Sequence, residues 1–399
     1  RVASRGLGDV YKRQMQIKGR FIMSEQTVLA KTPLHAFHLS EGAKMSGFAG
    51  YDMPLSYAQG AIAEHHLCRT GAAIFDVSHM GQIELCDGTG SAKAILAQLE
   101  TIIPANLIDL KAGRQRYGLF LNENGGILDD LMVANYGTHV RLVVNAACVE
   151  QDMAWISGHL TEMSITRLHR ALIALQGPAA GAAFAALIPA SAKMNFMDAA
   201  SFNWNGVEIE ATRSGYTGED GFEISCPDAV AEDLVRALSA HDDVGFAGLI
   251  ARDSLRLEAG LCLYGQDMDS STSIVAASLG WAVPKIRRTG GARMGGFIGA
   301  DRTLAECDAG AEFCRIGAVA PKGVPPRAGT EIFTSEEADA PVGRISSGMP
   351  GPSVGQPVTM LTLPHDIAVS DTPLFADVRG KRILLSRADM PFFPHRFHR

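Results

Sequence analysis

The sequence contains few cysteines, and their spacing matches no disulfide framework. The seven cysteines are an odd number scattered over 399 residues, and no two of them form a C-x-x-C pair. The odd number and the spacing argue against a disulfide scaffold and a structural zinc site, and scattered thiols are typical of a reducing compartment. The adjacent histidines His65 and His66 have none of the usual zinc spacings, so we expect no metal.

The chain also lacks a long uninterrupted apolar run and a large excess of one charge. Residues 171–192 come nearest to a membrane span, but Gln176, Gly177 and Pro178 interrupt them. We predict a strand at 172–175, a turn, and a helix that Pro178 opens near its first turn. A formal net charge of −7 argues against nucleic-acid binding by bulk charge. We therefore expect neither a nucleic-acid partner nor a membrane partner.

The length predicts more than one folded unit. A single hydrophobic core rarely grows past about 250–300 residues, and this chain has 399. Its 47% hydrophobic and 20% charged residues are ordinary for a globular chain. Residues 1–22 differ from the rest, because they carry six basic side chains against the single acid Asp9. We interpret them as a non-native extension before a start at Met23, or alternatively as an Arg-rich targeting leader.

Helix-like and strand-like patterns are mixed through the first part of the chain. Residues 229–239 have helical spacing, and residues 140–145 form a short apolar run. This mixture predicts an α+β body over residues 31–290. Farther on, proline and glycine separate short β-rich runs at 316–320, 330–334, 342–345, 358–363 and 381–385. They predict a small barrel or sandwich over residues 310–399, with the boundary near 290–310.

The first candidate for chemistry is the acid pair Asp129 and Asp130. The dipeptide Asn124-Gly125 before it is a strong hairpin-turn signal, and the residues that follow have the pattern of a strand. Aspartate is depleted in strands, and successive strand side chains point to opposite faces. We therefore expect one carboxylate to pair structurally while the other faces a ligand. Two purely structural carboxylates remain an alternative.

A second candidate is a glycine-rich loop. Gly215, Gly218 and Gly221 frame a tight loop around Tyr216, ahead of a strand that carries Glu223. Tyr216 supplies a ring and a hydroxyl group, and Glu223 supplies an acceptor for a ligand edge rich in N–H groups. Glycine allows a ligand to approach the backbone closely, but the same pattern is also typical of a plain turn. Both interpretations remain open.

A third candidate lies on a helix within residues 250–263. Arg252 is near the start of that helix, where the helix dipole disfavours a cation, and this position favours a special role. Arg256 and Glu258 follow on the same helix. Charges at this spacing are usually found on a solvated face that is linked by salt bridges, and this is the ordinary interpretation of all three side chains.

Ordered motifs along the chain match one known family. They cover roughly residues 31–397, and their number and order make the match specific. They are TPLH at 32–35, FAGYDMP at 48–54, FDVSHM at 75–80, GGILDDL at 125–131, ALQGP at 174–178, GYTGEDG at 215–221, the segment 251–266, SSGMP at 346–350 and MPF at 390–392. With these motifs the chain resembles the aminomethyltransferases, the T-proteins of the glycine cleavage system.

The resemblance implies an enzyme of one-carbon metabolism and glycine catabolism. A lipoylated H-protein would deliver an aminomethyl group on its lipoyl arm, and tetrahydrofolate, as co-substrate, would take the carbon as 5,10-methylenetetrahydrofolate. Ammonia and dihydrolipoyl H-protein are the other products. The implied fold is a folate-binding α+β body of two subdomains followed by a C-terminal β-barrel. The implied location is the cytoplasm of a bacterium or the mitochondrial matrix of a eukaryote.

The resemblance also implies which residues form the site. Asp130, the second acid of GGILDDL, matches the catalytic carboxylate beside the folate nitrogens, where it can stabilise a developing positive charge. Glu223 is implied as the acceptor for the amino-pyrimidine edge of the pterin, with Arg252 binding nearby. The other implied folate contacts are Trp281, which would pack on the folate, Tyr216, which would shape its pocket, Arg315, Asn145 and Phe397.

One of these positions departs from the family pattern. In the segment PFFPHRF at 391–397, the family commonly has tyrosine where this chain has Phe397. The aromatic ring is kept, but a hydroxyl contact near the substrate is lost. We therefore expect weaker substrate binding, and we expect the chemistry to continue.

Two alternatives to the T-protein interpretation remain. Another folate-dependent demethylase of the same fold would also keep Asp130, so that residue does not discriminate between the two. A non-enzymatic folate-binding assembly factor carries a Lys-Gly-Cys-Tyr-x-Gly-Gln motif, whereas residues 260–266 of this chain are GLCLYGQ. We rank the T-protein interpretation first, the demethylase second and the assembly factor third.

Overall fold

The computed structural model describes residues 28–323 and 325–399. The interpretation of residues 1–22 and the predicted start at Met23 lie outside these residues. In the described part of the chain, no helix combines the length and the apolar character that a bilayer crossing needs. The strands are β1 Ala30–Lys31, β2 Lys44–Phe48, β3 Tyr51–Ser56, β4 Ala72–Asp76, β5 Gly81–Cys86, β6 Arg114–Leu121, β7 Ile127–Asn135, β8 Val140–Val144, β9 Ser164–Leu168, β10 Ala171–Gln176, β11 Ala199–Trp204, β12 Val207–Thr212, β13 Gly221–Cys226, β14 Val244–Phe246, β15 Phe313–Val319, β16 Glu331–Phe333, β17 Gly343–Gly351, β18 Gln356–Pro364, β19 Leu374–Val378 and β20 Lys381–Ala388.

Helices lie between these strands, mainly in the first 310 residues. Short 3₁₀ turns at Gly280–Ala282 and Lys285–Arg287 connect the last part of the body. The α-helices are α1 His35–Ser40, α2 Ala61–Thr70, α3 Lys93–Leu99, α4 Val149–His159, α5 Ala180–Leu187, α6 Asp228–Ser239, α7 Leu249–Glu258, α8 Ala300–Ala309 and α9 His365–Ala368.

Two large sheets with separate cores form the body. The five-stranded sheet has the order β6-β7-β8-β5-β9, and α3 and α4 cover one face of it through Ile95 and Ile156. The six-stranded sheet has the order β11-β12-β13-β10-β4-β14, and α5 and α6 pack on it through Phe184 and Leu234. Each sheet therefore buries its apolar face under its own pair of helices, which gives the body two subdomains.

The C-terminal residues form a closed barrel. Its strands have the order β15-β18-β17-β16-β19-β20, and closure removes the exposed sheet edges. Alternating apolar side chains such as Ile332, Leu361 and Ala376 fill its interior. The barrel packs on the body through α7, where Leu257 joins a cluster that contains Met349. An α+β body followed by a C-terminal β-barrel is thus confirmed.

Local predictions can be compared with these elements. The segment 171–192 contains β10, a turn and α5, as predicted, and Asn124-Gly125 lies in the turn of the β6–β7 hairpin. Gly125 has a φ of +72°, a conformation that L side chains rarely adopt. Strand β19 was not predicted. The division of the chain into folded units over residues 31–290 and 310–399 stays a prediction.

Candidate active site

Strand pairing in the β6–β7 hairpin determines the surroundings of Asp130. Asp130 pairs with Leu119 across the hairpin, so Tyr117, two residues before Leu119, shares its face of the sheet. The Tyr117 hydroxyl donates a hydrogen bond of 3.1 Å to Asp130 Oδ2. Asn145, just past the end of β8, donates from Nδ2 to Asp130 Oδ1 at 2.9 Å. Two donors therefore hold the carboxylate in one orientation.

Asp129 points to the other face of β7, as strand alternation predicts. It is fully buried, and its carboxylate accepts hydrogen bonds from the backbone N–H of Asn145 at 3.0 Å and from Asn145 Nδ2 at 2.8 Å. Although the two acids point to opposite faces, one side chain, Asn145, contacts both of them. Asn145 follows Val144, the residue that pairs with Leu131, so it lies beside Asp130 and its amide group reaches both carboxylates.

The protonation of Asp130 is shifted towards neutral pH. Burial, together with the negative charge of Asp129, raises the pKa of Asp130 to about 7. The hydrogen bonds from Tyr117 and Asn145 act in the opposite direction and lower that pKa. A carboxyl group with a pKa near the working pH can hold or release a proton, or remain ionised beside a cation.

Trp281 covers the Tyr117 side of this group. Its ring is 64% exposed, and it stacks on the Tyr117 ring with the centroids 5.2 Å apart and the planes at 30°. A large apolar ring that remains this exposed has a free face, which suits a flat ligand. The pair places an open aromatic surface next to the hydroxyl that contacts Asp130.

Tyr216, Arg252 and Glu223 form a second group close to the first. The Arg252 guanidinium lies 5.1 Å from the centre of the Tyr216 ring, and Tyr216 donates a hydrogen bond to the Cys262 carbonyl. Burial, followed by weaker charge effects that include Asp130, raises the pKa of Tyr216. Glu223 accepts a hydrogen bond of 3.1 Å from the Ser214 hydroxyl, and its charge counteracts the lowering of the Arg252 pKa by burial.

Arg252 has a free donor in this group. Its Nη1 is buried and has no hydrogen-bond partner among the described residues. An unpaired buried N–H of a charged group is costly, and such groups usually meet a ligand or water. Along α7 the ordinary interpretation of the charges is wrong, because Arg256 and Glu258 are buried and not solvated. Arg256 pairs with Asp267 at 2.7 Å.

The glycine-rich loop serves packing at two of its positions. A Cβ atom on Gly215 would lie 1.7 Å from Gln176 Oε1, and one on Gly221 would lie 2.5 Å from Gln176 Nε2. The Gln176 side chain in turn donates to the Ser214 carbonyl at 2.9 Å. At these glycines the structure supports the plain-turn interpretation, because the backbone closely approaches a buried glutamine.

The adjacent histidines considered for a metal differ in burial, although their ring centroids lie only 5.6 Å apart. His65 is buried, with Nδ1 2.7 Å from the Ser254 hydroxyl and Nε2 2.7 Å from the Ser353 hydroxyl, whereas His66 is exposed. Within residues 28–323 and 325–399, no group of three His, Cys, Asp or Glu side chains is arranged to hold a metal ion.

Comparison with known proteins places this arrangement in one family. The GCVT N-terminal domain matches residues 34–287, and the glycine cleavage T-protein C-terminal barrel domain matches residues 315–394. The mitochondrial aminomethyltransferase of Homo sapiens is 38% identical over 383 residues, which cover 94% of this chain and 92% of that protein. The solved aminomethyltransferase T of the glycine cleavage system from Bartonella henselae matches with a TM-score of 0.85 and 38% identity, covering 93% and 100% of the two chains. This chain belongs to the glycine cleavage T-protein family.

The T-protein family assignment confirms the resemblance drawn from the motifs. The probable mitochondrial aminomethyltransferase of Schizosaccharomyces pombe is a further relative, 38% identical over 379 residues, with 93% of this chain and 95% of that protein covered. Proteins of this family use folate. The named eukaryotic relatives are mitochondrial.

Two residues that the T-protein resemblance implied lie in different surroundings. Arg315 on β15 is buried and donates to the Ala277 carbonyl at 2.8 Å, in the contact between barrel and body. Phe397 stacks on Phe196 with the centroids 4.1 Å apart. No contact joins either residue to Asp130 among the described contacts, and their roles toward folate stay predictions.

Sequence reasoning missed Tyr117. It belongs to no motif that the resemblance used, yet its hydroxyl contacts the proposed catalytic carboxylate. The hairpin turn contained enough information to find it. Once Asn124-Gly125 is accepted as the turn, pairing places residue 117 diagonally opposite residue 130 on one face of the sheet.

Proposed function

We propose that this chain is the aminomethyltransferase of a glycine cleavage system. The aminomethyl carbon leaves the lipoyl sulfur of H-protein and becomes bonded to two nitrogens of tetrahydrofolate. The carbon–sulfur bond and the carbon–nitrogen bond to the amine both break. The two protons released by the folate nitrogens are balanced by the thiol of dihydrolipoyl H-protein and by ammonia. Family membership supports this reaction, and the geometry around Asp130 supports the site.

Asp130 is the proposed catalytic carboxylate. Its two oxygens accept hydrogen bonds from Tyr117 and Asn145, so the charge is held in place before the substrates arrive. A fixed negative charge stabilises the positive charge that develops on the carbon as the carbon changes partners. With a pKa of about 7, the carboxyl can also exchange a proton near neutral pH. This held carboxylate is the observation that carries the proposal.

The residues around Asp130 fit a reduced folate. Tetrahydrofolate supplies the nitrogens that accept the carbon. A flat, partly apolar ligand with a polar edge suits the exposed ring of Trp281, and Arg252 Nη1 is a buried donor that lacks an acceptor among the described residues. Glu223 offers an acceptor for the amino-pyrimidine edge. We assign Trp281, Arg252, Glu223, Tyr216 and Asn145 to this pocket. Folate contacts by Arg315 and Phe397 stay predictions.

The proposed partner is a lipoylated H-protein. The site must admit a long flexible arm from another protein, since the carbon arrives bonded to a lipoyl sulfur. We propose the mitochondrial matrix as the location if the chain is eukaryotic, as for the relatives from Homo sapiens and Schizosaccharomyces pombe. We propose the cytoplasm if it is bacterial.

A reconstituted assay tests the proposal. Purified chain is mixed with aminomethyl-loaded H-protein and tetrahydrofolate, and the release of ammonia is followed. We expect ammonia release that requires all three components and equals the 5,10-methylenetetrahydrofolate formed. A parallel reaction with a sulfonium methyl donor in place of H-protein tests the demethylase alternative. Methyl transfer there, without ammonia release from loaded H-protein, would contradict the proposal.

A further inference from the structure

A third acid lies behind the proposed catalytic carboxylate. Asp152 on α4 is 0% exposed, and it faces Asp129, which is also 0% exposed, within hydrogen-bond range. Among the described residues, neither Asp152 oxygen has a hydrogen-bond partner that brings an N–H or O–H group. The Gln151 amide beside it lowers the pKa of Asp152, but its hydrogen bond goes to the Leu128 carbonyl, 3.1 Å away.

Two buried carboxyl groups in contact cannot both be ionised, because the like charges repel and neither is solvated. Asp129 accepts hydrogen bonds from the backbone N–H and the side-chain N–H of Asn145, which stabilise its charged form. The proton of the pair therefore lies on Asp152. Its O–H group then donates to Asp129, so one of the two buried Asp152 oxygens gains a hydrogen-bond partner.

Asn145 connects this pair to Asp130. Its Nδ2 has two hydrogens, one for Asp129 Oδ1 at 2.8 Å and one for Asp130 Oδ1 at 2.9 Å. The two acceptors determine which end of the amide is nitrogen. A change in the position or charge of Asp129 is therefore passed through Asn145 to Asp130.

We propose that Asp152 is a positioning residue that shares one proton with Asp129, and thereby holds Asn145 against the catalytic carboxylate Asp130. The inference rests on the proposed function of Asp130 and adds to it. With the proton present, the pair carries one negative charge and Asn145 is held. Without it, the pair carries two negative charges, and a second buried charge faces Asp130.

The surrounding groups agree with a proton on Asp152. Burial, then the charge of Asp129 and their mutual hydrogen bond, raises the pKa of Asp152 to about 9, and Asp130 adds to the increase. Burial also raises the pKa of Asp129, while the hydrogen bonds from Asp152, Asn145 and Cys148 lower it. The Tyr264 hydroxyl also faces the pair, and its pKa is raised above its ordinary value by burial and by the nearby acids. No positively charged side chain is among the groups that shift the pKa of Asp152.

Infrared spectroscopy tests the shared proton without turnover. At about pH 8, where Asp130 is mostly ionised and Asp152 is mostly protonated, the wild-type chain should show the C=O band of one buried carboxylic acid. We expect Asp152→Asn to remove this band. Asp233→Asn, which changes an exposed aspartate on α6, should keep it. A band that persists in Asp152→Asn, or its absence from the wild type, would overturn the proposal.

The pH profile of the transfer rate tests the positioning role. In Asp152→Asn the new amide group can donate an N–H to Asp129 and cannot titrate. This variant should therefore keep the neutral-pH rate within about threefold and lose the alkaline fall of the wild type. Asp152→Ala removes the donor and should lower the neutral-pH rate by about tenfold. Titrations of the substrates are common to all variants and cancel in the comparison.

The outcomes separate this inference from the proposed function. An unchanged alkaline fall in Asp152→Asn, with equal rate losses in both Asp152 variants, would show a merely structural acid. A wild-type chain without any transfer activity would contradict the proposed function, and the infrared band would still decide whether the proton is shared. If Asp152→Ala fails to fold, the infrared band and the pH profile of Asp152→Asn alone decide the outcome.

Discussion

Asn145 Nδ2 lies 2.9 Å from Asp130 Oδ1, so the side chain that binds the buried Asp129 also orients the proposed catalytic carboxylate. This hydrogen bond lowers the pKa of Asp130, and its removal should raise it. In Asn145→Ala we expect the acidic limb of the rate–pH profile to move to higher pH, with a rate near neutral pH that falls about tenfold and partly recovers in alkali. An acidic limb at the wild-type position would contradict this coupling.

Trp281 should contribute to folate binding and little to stability. Its ring is 64% exposed, so its removal costs little buried surface, whereas an aromatic contact to a flat ligand is worth about 0.5–1.5 kcal/mol. We expect Trp281→Ala to raise the dissociation constant of tetrahydrofolate by about 3- to 10-fold in calorimetry, with a melting temperature close to wild type. Leu384→Ala, at an exposed apolar residue of the barrel, is the control and should change neither quantity.

Arg252 and Arg256 offer a matched pair on one helix. Arg252 Nη1 has no partner among the described residues, whereas Arg256 is paired with Asp253 and Asp267 in the interior. We expect Arg252→Met to weaken tetrahydrofolate binding by more than about tenfold without loss of stability, because it removes a buried donor that is unpaired. Arg256→Met should destabilise the fold by about 3–5 kcal/mol, because it leaves the buried Asp267 carboxylate without its cation.

Urea unfolding measures the stability of the two arginine variants. A separate titration of the folded variants with tetrahydrofolate measures their affinity. If Arg252→Met were the variant that lost stability, while its affinity for tetrahydrofolate stayed at the wild-type value, Arg252 would be a structural residue. The assignment of its free donor to the folate pocket would then be wrong.

The free energy of unfolding should depend on pH through Asp152. Its pKa is raised to about 9 in the folded state, so the folded chain keeps a proton that the unfolded chain releases above about pH 4. Its stabilising contribution is therefore complete below about pH 4 and is lost as the pH rises towards 9. Relative to Asp152→Asn, the wild type should lose up to about 1.4 kcal/mol of unfolding free energy per pH unit in that window. Parallel curves of free energy against pH for the two proteins would contradict this.

Much of the fold could be predicted from local patterns. The β6–β7 hairpin follows from Asn124-Gly125, and the strand and helix of 171–192 follow from Pro178 after a short apolar run. Strand β19 was missed, although Leu374, Ala376 and Val378 alternate in it, because it is short and contains an aspartate. Local propensity gives a weak signal for such a strand, and closure of the barrel determines it.

The candidate site was less predictable, because its decisive contacts join residues that are far apart in the sequence. Asp152 has no motif of its own, and only the packing of α4 on β7 brings it to Asp129. Likewise, the spacing of Arg256 and Glu258 suggested a solvated face, but the barrel covers that face of α7 and buries both charges. A pattern on one helix contains no information about what the rest of the chain places over it.

Phe397 shows a similar limit. The sequence shows that a ring stands where the family commonly has tyrosine, and the structure shows this ring stacked on Phe196 at 4.1 Å. Whether the missing hydroxyl weakens substrate binding stays a prediction. Phe397→Tyr tests it directly, and we expect a lower KM for tetrahydrofolate or loaded H-protein, with kcat nearly unchanged.

The single-turnover rate of Asp130→Asn tests the central claim most directly. Asparagine keeps the size of the side chain and an acceptor for the Tyr117 hydroxyl, but removes the charge. With loaded H-protein and saturating tetrahydrofolate, we predict a rate of carbon transfer at least about 10²-fold below wild type, with tetrahydrofolate affinity within a few-fold of wild type. Asp233→Asn should transfer at the wild-type rate. An Asp130→Asn rate within a few-fold of wild type would show that this carboxylate is not the catalytic group.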